Sequence, residues 1–217
     1  MKAKIQELPP GSPLNTEMTI EFTTDFIGRF ENAFSPEYCQ HCIEYFDRME
    51  QLGFGRSRQL VEGVPAHLKD TIMYNTTRSV SHGVNDLGIV GVPAVQDHFL
   101  DVVWSCYRIY QERYSALQTQ APQGIYEMKI QKTNIGGGFH AWHWEQEGRA
   151  NCSRLMNVQL FLNDVTEGGE TEFLYLNKIE RSEVGKLLIY PGNYTHTHRG
   201  NPPRSNTKYL INAWIEF

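Results

Sequence analysis

From Gly124 onward the chain alternates short apolar segments with turn residues. IYEMKIQKT, NVQLFLNDV, ETEFLYL, GKLLIYPG and KYLINAWIEF are rich in β-branched or aromatic side chains and are separated by Gly, Asn and Pro. Such a series predicts about seven or eight strands closing into a sandwich or barrel. Upstream the period lengthens. In SPEYCQHCIEYFDRMEQ, Ser35 is an N-cap and Pro36 a first-turn residue, followed by apolar positions at helical spacing, which predicts a helix from 36 to about 52. VPAVQDHFLDVVWSCYRIYQERYSAL sets Val95, Phe99, Val102, Cys106, Tyr110 and Tyr114 on one helical face, predicted to pack on a sheet. MTIEFTTDFIGRFENAF reads as extended. Residues 1–17, rich in Pro, Gly and polar side chains, read as a flexible leader. The stretch from Gly53 to about Gly91 shows no sustained period, the mark of a lid or binding loop. The fold class predicted is α+β, in a single domain over 18–217. Helical support covers about 35–120 and a jelly-roll core about 124–217.

Composition narrows the class. The 217 residues suffice to bury one sizeable core, and 40% hydrophobic with 21% charged residues is ordinary for a soluble protein. No apolar run approaches the roughly 18 residues of a membrane span. MKAKIQELPPGSPLNTE has no apolar core of a secretory signal, so the expected location is a reducing cytoplasm and no membrane partner is expected. Cys39 and Cys42 form a CxxC, but no second pair follows, and their helical setting predicts packing rather than metal or redox work. A net charge of −5 argues against a nucleic-acid partner. The sequons at Asn75, Asn151 and Asn193 would matter only in a secreted protein.

The chemistry concentrates in GGGFHAWHWEQ, residues 136–146. In a strand, residues two apart share a face, so His143 and Glu145 project together while Trp144 points away. A His-x-Glu alone is common on exposed strands. The segment YPGNYTHTHRGNPPRSNTKYLINAW adds a histidine-rich edge that can supply a third ligand. Two histidines and one carboxylate leave three positions open on a metal, which suits non-haem Fe(II), whereas a structural zinc site is expected to have four protein ligands.

The segment from about Ile130 to Trp214 resembles the Fe(II)/2-oxoglutarate oxygenases, most closely their prolyl 4-hydroxylase-like branch. The ordered features are His143 and Glu145, LNDVTEGGETEF at 162–173, IYPG at 189–192, His198, Lys208 and Trp214. GRFENAFSPEYCQHCIEYF looks like the strand and helix that precede the core in that branch. The resemblance implies a double-stranded β-helix with N-terminal helices packed on the sheet. It also implies Fe(II) held by His143, Glu145 and His198, because Lys208 follows His198 by the ten residues of the family pattern. The resemblance further implies 2-oxoglutarate as cosubstrate, with O₂ as the oxidant and ascorbate as a candidate accessory. Lys208 would meet its buried distal carboxylate, a charge too costly to bury unpaired. Trp214, Gln131 and Thr133 are expected to line the cosubstrate pocket. His140 and His196 remain candidates for rim or supporting roles.

Two features depart from the family. Glu145 stands where most members of the branch carry Asp, so the carboxylate must be set back or the strand shifted. A family Tyr nine or ten residues before the proximal His is replaced by Asn134 or Thr133. The implied activity is hydroxylation of a C–H bond, first of all in a prolyl residue of a peptide or protein. The aromatic and basic residues from Arg56 to His82, with Trp142 and Trp144, are candidates for a peptide groove. The alternatives are a small-molecule or free amino acid hydroxylase, or a noncatalytic metal-binding jelly roll, which would have no need of a cation at Lys208.

Overall fold

The computed structural model describes residues 2–4, 12–57, 65, 67–70, 72–75 and 93–217. Most of the segment read as a lid, and most of Arg56 to His82, lies outside these residues. Within it three short strands are described, for which the sequence offers no sustained period.

Strands are numbered in chain order. The larger sheet runs β1 (Lys2–Lys4), β2 (Thr19–Phe22), β3 (Gly28–Glu31), β12 (Leu187–Pro191), β9 (Arg154–Phe161), β14 (Lys208–Glu216), β7 (Gly124–Thr133), β6 (Ile72–Asn75) and β4 (Arg56–Ser57). The smaller runs β11 (Lys178–Glu180), β10 (Thr171–Phe173), β13 (His198–Gly200), β8 (Gly138–His143) and β5 (Lys69–Asp70). The pairings are antiparallel. This is the expected α+β jelly roll, but the extended segment before the first helix does more than lead into it. The β2–β3 hairpin joins the larger sheet beside β12, with Phe30 opposite Leu187 and Gly28 opposite Ile189.

Helix α1 spans Pro36–Gln51, and the Ser35 hydroxyl accepts from the Tyr38 amide at 3.2 Å, satisfying one of the free amides of the first turn. It buries Cys39, Cys42, Tyr45 and Phe46. Burial pushes the Cys39 and Cys42 thiols up to about 12, as inert packing groups require. Helix α2, Pro93–Arg113, buries Val95, Phe99, Val102, Cys106 and Tyr110. Its Tyr110 hydroxyl donates to the Phe26 carbonyl at 2.6 Å, tying the helix to the β2–β3 turn. A Cβ on Gly28 would lie 2.9 Å from the Tyr110 ring, so glycine is what lets this ring reach the strand. No helix among the described residues is long and apolar enough to cross a membrane.

The two-residue period of the strands sorts the larger sheet into two faces. Met128, Ile130, Met156, Val158, Leu160, Leu187, Ile189, Ile211, Ala213 and Ile215 face the helices and form the main core. The alternate positions, among them Gln131, Thr133, Asn157, Gln159, Lys208 and Trp214, are buried and face the smaller sheet. Apolar burial is thus concentrated on the helix side. The inter-sheet space carries the polar groups, beside a smaller apolar cluster of Ile27, Phe161, Phe173, Leu188, Tyr190 and Leu210.

Candidate metal centre

His143 ends β8 and His198 begins β13, and the two are direct register partners. Their ring centroids lie 4.4 Å apart. Each ring is oriented by a main-chain carbonyl two residues before it, His143 Nδ1 3.0 Å from the Ala141 carbonyl within β8 and His198 Nδ1 2.9 Å from the His196 carbonyl in the turn that leads into β13. A carbonyl only accepts, so Nδ1 carries the hydrogen in both and the Nε2 lone pairs are available to a cation. Phe139 stacks on His143 at 3.6 Å between centroids and limits its rotation.

Glu145 follows β8 and is docked by its backbone, since the amides of Glu145 and Gln146 both donate to the Gly192 carbonyl, at 3.0 and 3.1 Å. A Cβ on Gly192 would come 2.9 Å from the Arg154 carbonyl and 3.4 Å from Glu145 Cβ, which explains a glycine at the end of IYPG. Ligand-capable atoms of His143, Glu145 and His198 lie within 4.8 Å of one another. Glu145 Oε1 is 3.4 Å from His198 Nε2. It accepts from Asn157 Nδ2 at 2.6 Å, while Oε2 accepts from Trp214 Nε1 at 2.6 Å. Burial alone would raise this carboxyl, but His198 and His143 in their protonated forms, with Arg154, outweigh it and hold the group down at about 2; when both rings are neutral, that pull falls to Arg154 and to a bound cation. Glu145 is therefore ionised at neutral pH. Two neutral imidazole nitrogens and one carboxylate form a donor set that fits Fe(II).

A cavity beside the histidines is lined by Gln131, Thr133, Phe139, Lys208 and Asn212, among others. Lys208 is 3% exposed, and its Nζ donates to the Gly169 carbonyl at 2.6 Å. Among the described residues no carboxylate lies within ion-pair distance of it. Burial lowers its pKa to about 7, against a partial opposing pull from Glu170 and with further lowering by Lys186. Among the described residues, Gln131 Nε2 and Asn212 Oδ1 are buried without a hydrogen-bond partner. Polar atoms left open in a cavity, next to an unpaired ammonium, fit a small anionic ligand with further polar atoms.

The structure therefore brings His143, Glu145, His198, Gln131, Thr133 and Lys208 around one inter-sheet space. Trp214 comes to the same space but to another part of it: its indole meets Glu145, and it is absent from the cavity lining. His196 is buried against the β2–β3 turn, with Nε2 2.7 Å from the Asp25 carbonyl, and acts as packing. His140 lines an outer cleft with Arg199 and Arg204. Trp142 lies under Arg199, whose guanidinium sits 4.4 Å from the ring centroid. Asn157 and Tyr190 were not singled out by sequence. Asn157 Nδ2 reaches both Glu145 and the Tyr190 hydroxyl, the latter at 2.9 Å, and that hydroxyl is 3.3 Å from His198 Nε2. The only sequence signal is a polar side chain at an inward strand position, Asn157 two residues before Gln159 on β9 and Tyr190 on the apolar β12.

Residues 128–216 match the 2OG-Fe(II) oxygenase superfamily. The matched segment is the C-terminal part of the chain. It holds all three donors and Lys208. Solved structures extend the likeness to most of the fold. A Pseudomonas putida prolyl-4-hydroxylase aligns with a TM-score of 0.66 at 10% identity, covering 89% of this chain and 94% of that one. A prolyl hydroxylase from Trichoplax adhaerens, in complex with a hypoxia inducible factor peptide fragment, aligns with a TM-score of 0.64 at 16% identity, covering 89% and 84%. The viral collagen prolyl hydroxylase of Paramecium Bursaria Chlorella virus-1, in its 2OG complex, aligns with a TM-score of 0.60 at 14% identity, covering 88% and 96%. No curated protein sequence matches the chain.

Proposed function

We propose that this protein is an Fe(II)- and 2-oxoglutarate-dependent dioxygenase that hydroxylates a prolyl residue in a peptide or protein. His143, Glu145 and His198 would hold the iron. Lys208 would pair with the distal carboxylate of 2-oxoglutarate, and Gln131 and Thr133 would contact the cosubstrate from β7. When bound, the iron would activate O₂, with the 2-oxo acid giving up two electrons and leaving as succinate and CO₂, so that a substrate hydrogen is replaced by a hydroxyl. The chain's own tasks are to keep both Nε2 lone pairs and one carboxylate oxygen aimed at a common point, to neutralise a buried anion, and to exclude water from the reacting space.

The observation that carries this reading is Lys208, a buried cation that donates to a backbone carbonyl, has no carboxylate partner among the described residues and lines the same cavity as His143 and His198. A metal-binding jelly roll without cosubstrate chemistry has no use for that charge, and burying it unpaired is costly. The prolyl substrate is supported by the three prolyl hydroxylases of similar fold, one of them bound to a peptide. A cytoplasmic location is supported by four free cysteines, Cys39, Cys42, Cys106 and Cys152, which suit a reducing compartment.

The test is anaerobic addition of Fe(II) and 2-oxoglutarate, monitored for the metal-to-ligand charge-transfer band of a chelated 2-oxo acid. The band is expected in the wild type, and its absence would remove the oxygenase reading. Succinate release with proline-containing peptides, set against free amino acids, then tests the substrate class; turnover with free amino acids alone would replace the prolyl reading.

A further inference from the structure

Glu145 has one methylene more than the aspartate usual at this position, and its surroundings engage both of its oxygens differently. Oε1 faces His198 Nε2 at 3.4 Å and accepts from Asn157 at 2.6 Å. Oε2 accepts the indole hydrogen of Trp214 at 2.6 Å and lies 3.6 Å from Arg154 Nη1. The indole has little freedom to swing away. Trp214 is 4% exposed, the Arg154 guanidinium lies 3.8 Å from its ring centroid, and Lys129 Nζ lies 4.9 Å from it. Arg154 is itself tied to Glu127 at 3.4 Å and to Glu216 at 3.8 Å.

A glutamate on this longer arm is able to offer both oxygens to a divalent ion, as glutamates do in bidentate calcium sites. At a six-coordinate ion that would leave two vacant positions in place of three. A 2-oxo acid chelating through two atoms would then fill the sphere and leave none for O₂. We propose that Trp214 is a positioning residue that restricts Glu145 to a single metal-facing oxygen and so preserves the third open position. The inference rests on the oxygenase reading above, since only a site that must seat a chelating cosubstrate and a further ligand requires three vacancies. It places Trp214 on the carboxylate side of the centre, acting through Glu145 rather than on the cosubstrate.

The test compares wild type with Trp214→Phe and with a variant carrying β-(3-benzothienyl)alanine at position 214, which keeps the fused-ring shape and lacks the N–H. Mn(II) or Co(II) affinity is measured by calorimetry, and anaerobic 2-oxoglutarate binding by the charge-transfer band of the Fe(II) protein. Both variants are expected to hold the metal at least as tightly as wild type. Their 2-oxoglutarate affinity is expected to fall by about tenfold or more, within the range for loss of an outer-sphere partner. Adding Glu145→Asp, whose shorter arm disfavours two-oxygen binding, is expected to return cosubstrate affinity to the Trp214 variants. A parallel loss of metal and cosubstrate would mark Trp214 as ordinary packing and overturn the proposal. Unchanged cosubstrate binding in the benzothienyl variant, or no recovery in the double variant, would overturn it as well. If wild type itself shows no charge-transfer band, it is the oxygenase reading that fails.

Discussion

His143 and His198 stand opposite one another in the β8–β13 ladder, with both Nδ1 atoms committed to main-chain carbonyls two residues before them. Their remaining lone pairs converge near a carboxylate held ionised, so the centre is arranged before any cation arrives. A divalent ion that binds only the folded chain stabilises it by mass action, about 2.7 kcal/mol at a hundred times its dissociation constant. Thermal melts of wild type are expected to shift upward with added Mn(II) or Co(II). His198→Ala is expected to abolish the shift while leaving the metal-free melt within a few degrees.

Lys208 sets the expected pH dependence of cosubstrate binding. Its pKa in the free protein is lowered to about 7, whereas a carboxylate against the ammonium would raise it. Binding is then accompanied by proton uptake above that value. The 2-oxoglutarate dissociation constant should be flat below about pH 7 and rise by up to about tenfold per pH unit above it. Anaerobic titrations of the charge-transfer band from pH 6 to 9 check this, and Lys208→Met should abolish the slope and weaken binding by about 2–5 kcal/mol.

The same lysine destabilises the ligand-free fold. A lysine whose folded pKa lies below its unfolded value takes stability away as pH falls from the unfolded value toward the folded one, so the ligand-free protein carries this cost in full below about pH 7. Lys208→Met, apolar and of similar length, is therefore expected to raise the melting temperature of the ligand-free chain at pH 6, with a smaller gain at pH 9.

Gly192→Ala addresses the docking of Glu145. The added Cβ would lie 2.9 Å from the Arg154 carbonyl, where the chain turns to accept the Glu145 and Gln146 amides. Denaturant melts should show a loss of about 1–3 kcal/mol, as for overpacking elsewhere. Metal titration should show weaker binding in parallel.

Much of the fold could be read from local pattern. The Ser35 cap, the apolar stripe from Val95 to Tyr110 and the two-residue alternation of β7, β9, β12 and β14 each follow from nearest-neighbour geometry. The pairing of the β2–β3 hairpin with β12 could not, because partner choice depends on residues more than 150 positions away. At the site, parity along β14 correctly groups Lys208 with Trp214 on the inward face. It says nothing of how far along the strand each side chain acts. Six residues of rise separate the end that meets Gly169 from the end that meets Glu145. Asn157 and Tyr190 were hidden for a related reason. Each is one polar side chain on an inward position, and its meaning appears only when β9 and β12 lie side by side beneath the histidines.

The segregation of the larger sheet into an apolar helix-facing side and a polar inner side has a consequence for how such a protein diversifies. Folding is anchored where the helices sit, so exchanges of inner side chains away from the metal donors can reshape what the pocket accepts with modest effect on the scaffold. Selection for a new molecule to oxidise can then proceed along one side of the sheet, while the other supplies mutational robustness.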